Sequence, residues 1–248
     1  MKIKCWYHLT FNNTVIKNLF VLFTGVLSVF YLPKRYCFIK HSKLFLMKKL
    51  FVLLTATLLF GFVNKPASVS DAERKNAADL LLQTEAGVFN AIAGLSEAQL
   101  NFKPAPDKWS VLDCVKHIAV TEAGLWQMTN GSIQAPANPE KRVDVKSTDE
   151  QVVAMIESRE RKVKTAPPME PQNTPFKSLD EALKSFVSDR AKLVNYIKTT
   201  DADLRNHVVT MPFASFDSYQ MILFIAAHSN RHTQQIEEVK ADPNFPKN

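Results

Sequence analysis

Met221-Ile-Leu-Phe-Ile225-Ala-Ala-His228-Ser-Asn-Arg-His232-Thr-Gln-Gln235 is the stretch that decides the fold. Met221, Ile225, His228, His232 and Gln235 recur at steps of four, three, four and three, the seam of a helix that faces other helices. Two imidazoles on an inward face are costly unless each has a partner. A metal ion is one such partner, because a neutral ring nitrogen is a ligand. A chance surface pair and a hydrogen-bonded core pair are the other readings that the spacing leaves open. His-Ser-Asn-Arg-His is not the H-E-x-x-H of a zinc protease, since Ser229 stands where that motif has its catalytic Glu.

Working outward, four capping patterns mark helix starts. Ser70-Asp-Ala-Glu73 and Ser178-Leu-Asp-Glu181 read S-x-x-E, Thr148-Asp-Glu-Gln151 reads T-x-x-Q, and Ser110-Val-Leu-Asp113 is an S-x-x-D version with Trp109 and Cys114 placed as a staple. Each start is followed by apolar residues at helical spacing: Leu81, Val88, Ile92 and Leu95; Val111, Val115, Ile118 and Leu125; Val152, Met155 and Ile156; Ala182, Phe186, Leu193 and Ile197. The expected helices cover about 71–95, 110–129, 148–165, 178–199 and 215–240. No alternating strand is evident. Breakers separate the segments: Pro104 and Pro106, the 131–147 stretch, then Pro167, Pro168, Pro171 and Pro175.

Four long helices and a short one imply an all-α fold, a four-helix bundle. The link between the second and fourth segments is long enough to run the length of a bundle and return, so two consecutive main helices can point the same way. The expected order is up-down-down-up, with the short extra helix on the long crossover. The second and last helices are then antiparallel. His117, early in the second, falls within about one turn of the level of His228 and His232, late in the last. Three His ligands at one level would leave coordination positions open for water or substrate.

Other candidate residues read as structural. His207 sits in a polar stretch, 201–210, and reads as a solvated turn residue. Cys114, one turn before His117, reads as a buried apolar thiol rather than a fourth ligand. Glu122 lies five residues past His117, off its face, and reads as solvated or as standing behind a ligand. Trp109 and Trp126 read as core or staple.

Composition narrows the function. The 248 residues carry a formal net charge of +7, but 1–70 hold 10 Lys or Arg and no acid, leaving 21 bases against 24 acids in 71–248. The folded part is therefore mildly acidic, which removes the electrostatic case for nucleic acid. Met47-Lys-Lys49 followed by an uncharged apolar run, 50–63, matches a secretory signal, with Ser68-Val-Ser70 as small residues before Asp71. The expected organisation is a doubtful upstream leader at 1–46, a signal peptide at 47–70 and one domain at 71–248. Export to the periplasm or medium follows, or membrane anchoring through the leader if it is not cleaved. Only Cys114 remains beyond residue 70, so the domain has no internal disulfide.

Phe102-Lys-Pro-Ala-Pro-Asp-Lys-Trp109-Ser110, then His117, then His228-Ser-Asn-Arg-His232-Thr-Gln-Gln235-Ile236 resemble the DinB-like (YfiT-like) metal-binding bundle proteins over about 75–240. The resemblance implies an up-down-down-up four-helix bundle, often a homodimer. It also implies a divalent ion (zinc, nickel or iron) held by residues matching His117, His228 and His232. Asn230, Arg231 and Gln235 match the motif's surroundings without an assigned role. The activity implied is a metal-dependent enzyme, a hydrolase acting on an unknown small molecule or a thiol-dependent S-transferase. A non-catalytic metal-binding or interaction module is the third reading. Export weakens the transferase, since its small-thiol cofactors are chiefly cytosolic.

Overall fold

The computed structural model describes residues 69–247. The leader at 1–46 and nearly all of the expected signal peptide lie outside the described residues.

Six α-helices run Asp71–Ile92 (α1), Glu97–Asn101 (α2), Val111–Gln134 (α3), Asp149–Glu157 (α4), Leu179–Thr199 (α5) and Ser218–Lys240 (α6). All four expected caps form. Ser70, Ser110 and Thr148 make reciprocal capping boxes with Glu73, Asp113 and Gln151, while Ser178 accepts from the Glu181 N–H without the reverse bond. Each cap satisfies an N–H that the first helical turn leaves unpaired.

The expected boundaries shift for local reasons. α1 stops at Ile92 because Gly94 takes a φ of +70°, the left-handed conformation that ends helices. Ser96 and Gln99 then build a further capping box that starts α2. α3 runs through Gly131 to Gln134. One glycine costs a helix only about 1 kcal/mol, whereas the pre-proline Ala135 leaves the helical region at ψ 166°. α4 ends at Glu157 rather than 165, where the apolar spacing gives way to Arg159-Glu-Arg-Lys-Val-Lys164.

The expectation of no strand was wrong. Val208–Met211 (β1) and Ala214–Asp217 (β2) form an antiparallel hairpin in which Val209 faces Phe216. Val208-Val-Thr210 is β-branched throughout, and Pro212-Phe213 make the two-residue turn. Asp217 ends β2 and caps α6 through Gln220 N, so α6 begins at Ser218 rather than 215.

The four long helices make the expected up-down-down-up bundle. Arg74 in the first turn of α1 reaches the Ile197 and Thr200 carbonyls at the end of α5, so these two are antiparallel. Lys240 at the end of α6 bonds Ala91 O near the end of α1, so these two are parallel. His117, early on α3, meets the later half of α6. α1 and α6 thus point one way, α3 and α5 the other, and α4 packs on α6. Two apolar clusters fill the interior. Leu81, Leu193, Ile197, Phe216, Met221 and Ile225 form one, Val88, Val115, Ile118, Phe186 and Ile236 the other. Between them a polar layer crosses the bundle: Arg190 of α5 bonds Glu122 of α3, Leu81 O and Thr84 of α1, and Ser229 of α6.

Among the described residues no helix is long and apolar enough to cross a membrane.

Candidate metal centre

His117 is on α3, one and a half turns in from its capped start, and His228 and His232 share one face of α6. Antiparallel packing brings the three to one level, as their spacing predicts. Their ring centroids lie 4.5 Å (His117–His232), 4.5 Å (His228–His232) and 5.1 Å (His117–His228) apart. One ligand nitrogen from each lies within 4.8 Å of the others. His117 and His232 are buried and His228 is partly buried.

The hydrogen bonds behind the rings set which nitrogens face inward. His117 Nδ1 lies 2.7 Å from the Met169 carbonyl oxygen. A carbonyl only accepts, so Nδ1 carries the proton and Nε2 is left as an acceptor, with the Thr121 hydroxyl 3.4 Å from it and 3.3 Å from Nδ1. His232 Nδ1 lies 2.9 Å from Gln235 Oε1, which also accepts from Arg159 Nη1 at 3.4 Å. Guanidinium is an obligatory donor, which confirms the amide oxygen as the group facing His232. His232 Nε2 is therefore unprotonated, and it lies 3.1 Å from His228 Nε2, a hydrogen bond in which His228 donates.

Two nitrogens on one ion at about 2.0–2.1 Å stand roughly 3 Å apart, so this pair already has the separation of two ligands. All three rings are held below the ordinary imidazole pKa, chiefly because burial disfavours the charged form; for His228 and His232 the neighbouring histidines add to it. Neutral rings with inward nitrogens are what a cation needs, and the donor set fits a divalent ion.

Trp109 forms one wall, its ring 5.7 Å from His232 in a stacked arrangement and 4.8 Å from His117. It packs on the apolar cluster of Val115 and Ile118, as expected of a core residue, and also lines the centre. Phe224 stacks 6.3 Å from His228. Trp126 packs edge-on to Tyr196, away from the histidines, as expected of a core residue.

The remaining candidates fall elsewhere. Cys114 is buried and free, and burial pushes its thiol pKa up. It is not in the ligand group. Glu122 is neither solvated nor behind a ligand: it is buried in the polar layer, 2.6 Å and 2.5 Å from Arg190 Nε and Nη2. Burial pushes its carboxyl pKa up despite that guanidinium. His207, expected to be solvated, is buried where the hairpin folds against the end of α3, and its Nδ1 donates to Ser132 O at 2.8 Å. Asn230 donates to Glu157, and Arg231 to the Ile156 and Arg161 carbonyls, so both tie α6 to α4 and the segment after it.

Sequence reasoning missed the backbone carbonyl of Met169, for which no side-chain pattern exists, and the roles of Arg159 and Gln235. Gln235 carried a signal, standing one turn after His232 on the same seam.

With this geometry in hand, comparison with known proteins is informative. A model of the DinB superfamily matches residues 80–236, well over half of the chain. YuaE of Bacillus subtilis (strain 168), itself uncharacterized, is 25% identical over 153 residues that span 61% of this chain and 90% of YuaE. Among solved structures, YfiT from Bacillus subtilis is described as a probable metal-dependent hydrolase with an unusual four-helix bundle topology. It aligns with a TM-score of 0.49 at 15% identity, covering 73% of this chain and 93% of YfiT.

Proposed function

The chain belongs to the DinB superfamily, and from that premise we propose that it is a metal-dependent enzyme of the hydrolase type, acting on a small molecule at an ion held by His117, His228 and His232. The observation that carries this reading is the convergence of three imidazoles, two with their outer nitrogens tied to protein acceptors and their inner nitrogens left unprotonated. Three protein ligands are the number found where a metal keeps an open position for chemistry. A divalent ion there supplies a Lewis acid that makes a bound nucleophile available at neutral pH.

The chain's own residues do the rest. Met169 O and Gln235 Oε1 hold the Nδ1 protons and keep the inner nitrogens unprotonated. Trp109 and Phe224 shield the rings from bulk water on two sides. The Glu122 carboxylate is engaged by Arg190 in the polar layer, so it does not serve as a general base.

Metal content tests the reading. Purified without a histidine tag, the protein is expected to carry near-stoichiometric divalent metal by mass spectrometry, and His228→Ala to carry almost none. A folded wild type that neither contains nor takes up divalent ions sinks it. Loss of a bimane-type electrophile only when a small thiol is supplied would move the reaction to S-transfer.

Export belongs to the same proposal and rests on the acid-free, apolar run after Met47. Val69 is only 3% exposed, within the apolar core, and Ser70 caps α1. A cut after Ser70 would forfeit the cap, about 1 kcal/mol. N-terminal sequencing of the mature protein is expected to begin at or before Val69.

A further inference from the structure

The crossover between α3 and α5 does more than reconnect the bundle. After α4 it passes the end of α6, where Arg159 bonds Gln235 and pairs with Glu238 at 2.7 Å. It then makes a one-turn 3-10 helix, Pro167–Met169, whose last residue offers its carbonyl to His117. One segment thus stands behind two of the three histidines.

The seat for that turn is Gly124. It lies on α3 seven residues after His117, two turns along the same face. A β-carbon at Gly124 would stand 2.6 Å from the Met169 methyl and 3.7 Å from its sulfur. The end of the methionine side chain therefore occupies the space that a side chain at 124 would need. Glycine inside a helix is worse than alanine by about 0.5–1 kcal/mol, and Gly124 has an ordinary helical φ, so its conformational freedom is not in use. What it provides is space. The turn itself is well braced: Met169 N bonds Ala166 O at 2.9 Å, and Asn173 Nδ2 donates to Pro167 O at 2.8 Å.

We propose that Gly124 and Met169 are positioning residues of the metal centre: the Met169 side chain seats the crossover turn in the space left by Gly124, and the seated carbonyl holds His117 with its Nε2 lone pair turned inward. Free neutral histidine in water favours the proton on Nε2, the wrong nitrogen for this site, so the carbonyl works against the ring's own preference. The proposal rests on the metal reading above. It also implies the reverse effect: if the seated turn favours the ion, the ion favours the seated turn by the same factor.

The test uses the full chain, with zinc as the probe. Gly124→Leu fills the seat, and Gly124→Leu with Met169→Ala removes the obstructing side chain while keeping a carbonyl at 169. Zinc affinity, measured against a competing chelator dye, is expected to fall about 10- to 100-fold in the single variant, the range for lost partners of ligand histidines. Most of it should return in the double variant. Leucine is a strong helix former, so the metal-free single variant should melt close to wild type, which a general structural defect would not allow. Zinc is expected to slow tryptic cleavage at Arg161, Lys162 and Lys164, exposed just before the turn, about 10-fold in wild type and much less in Gly124→Leu. Ring 15N NMR of the metal-free wild type should show the Nδ1–H form of His117, which holds even if the variant does not fold. An Nε2–H form there, or wild-type zinc affinity in Gly124→Leu, overturns the proposal. A wild type with the Nδ1–H form that binds no zinc overturns the metal reading instead.

Discussion

Replacing Arg190 with methionine is expected to destabilise the protein by about 3–5 kcal/mol, the cost of removing one partner from a buried ion pair. The Arg190 side chain is 0% exposed and that of Glu122 1%. The guanidinium also donates to Leu81 O (2.5 Å), Thr84 Oγ1 (2.8 Å) and Ser229 Oγ (2.7 Å), so a single side chain touches all three other long helices. Against a domain stability of roughly 5–15 kcal/mol, the loss leaves little. The direction with pH follows from Glu122, whose carboxyl burial already raises above its ordinary value. A carboxyl with a raised folded pKa stabilises below its unfolded pKa and loses that contribution as pH rises through the folded one. Arg190→Met should therefore be least damaging in mild acid. Arg190→Met with Glu122→Met removes both charges and should recover most of the loss. Urea midpoints of the two variants at pH 5 and pH 7.5 decide it. A single-variant loss under about 1 kcal/mol would mean that water reaches the pair.

Arg205→Met is expected to cost about 2–4 kcal/mol, less because the side chain is 18% exposed. Arg205 follows the short 3-10 turn's first residue and gathers Glu73 in the first turn of α1, Asp149 in the first turn of α4 (2.7 Å) and Asp217, the cap of α6 (3.0 Å). It also lies 4.3 Å above the Tyr219 ring. Without it three carboxylates converge with no cation among them except Arg142, 3.5 Å from Asp217. Glu73 reports on the cluster. Burial alone would raise its pKa, but the Arg205 contact and the Ser70 bonds bring it down to about 2. A depressed carboxyl contributes stability above its ordinary pKa and loses it as pH falls through the folded value. Wild type should therefore lose stability between about pH 4.5 and pH 2, and Glu73→Gln should flatten that part of the curve. Thermal melts across the interval check both variants; an unchanged slope in Glu73→Gln refutes the assignment.

The helices were legible because their signals are local. Ser70, Ser110, Thr148 and Ser178 cap where their side chains can reach an unpaired N–H three residues on. The same signal was present, and overlooked, at Ser96-Glu-Ala-Gln99, which starts α2. The hairpin was not legible: four-residue strands with Val208 and Val209 both buried show no alternation, because α3, α6 and the Pro139–Asp144 segment all pack on β1. His207 reads as polar loop for the same reason: what buries it arrives from elsewhere in the chain.

The sequence alone determined the four long helices, their up-down-down-up order and the shared level of His117, His228 and His232. Capping, helical period and the length of one crossover are properties of neighbours in the chain. Tertiary structure decided the rest. Glu122 and Arg190 look like two solvated charges until four helices close around them. The inward nitrogens of His117 and His232 depend on the Met169 carbonyl and on a Gln235 amide braced by Arg159. Desolvation and hydrogen-bond direction are set by groups that meet only on folding, and no spacing along the chain records them.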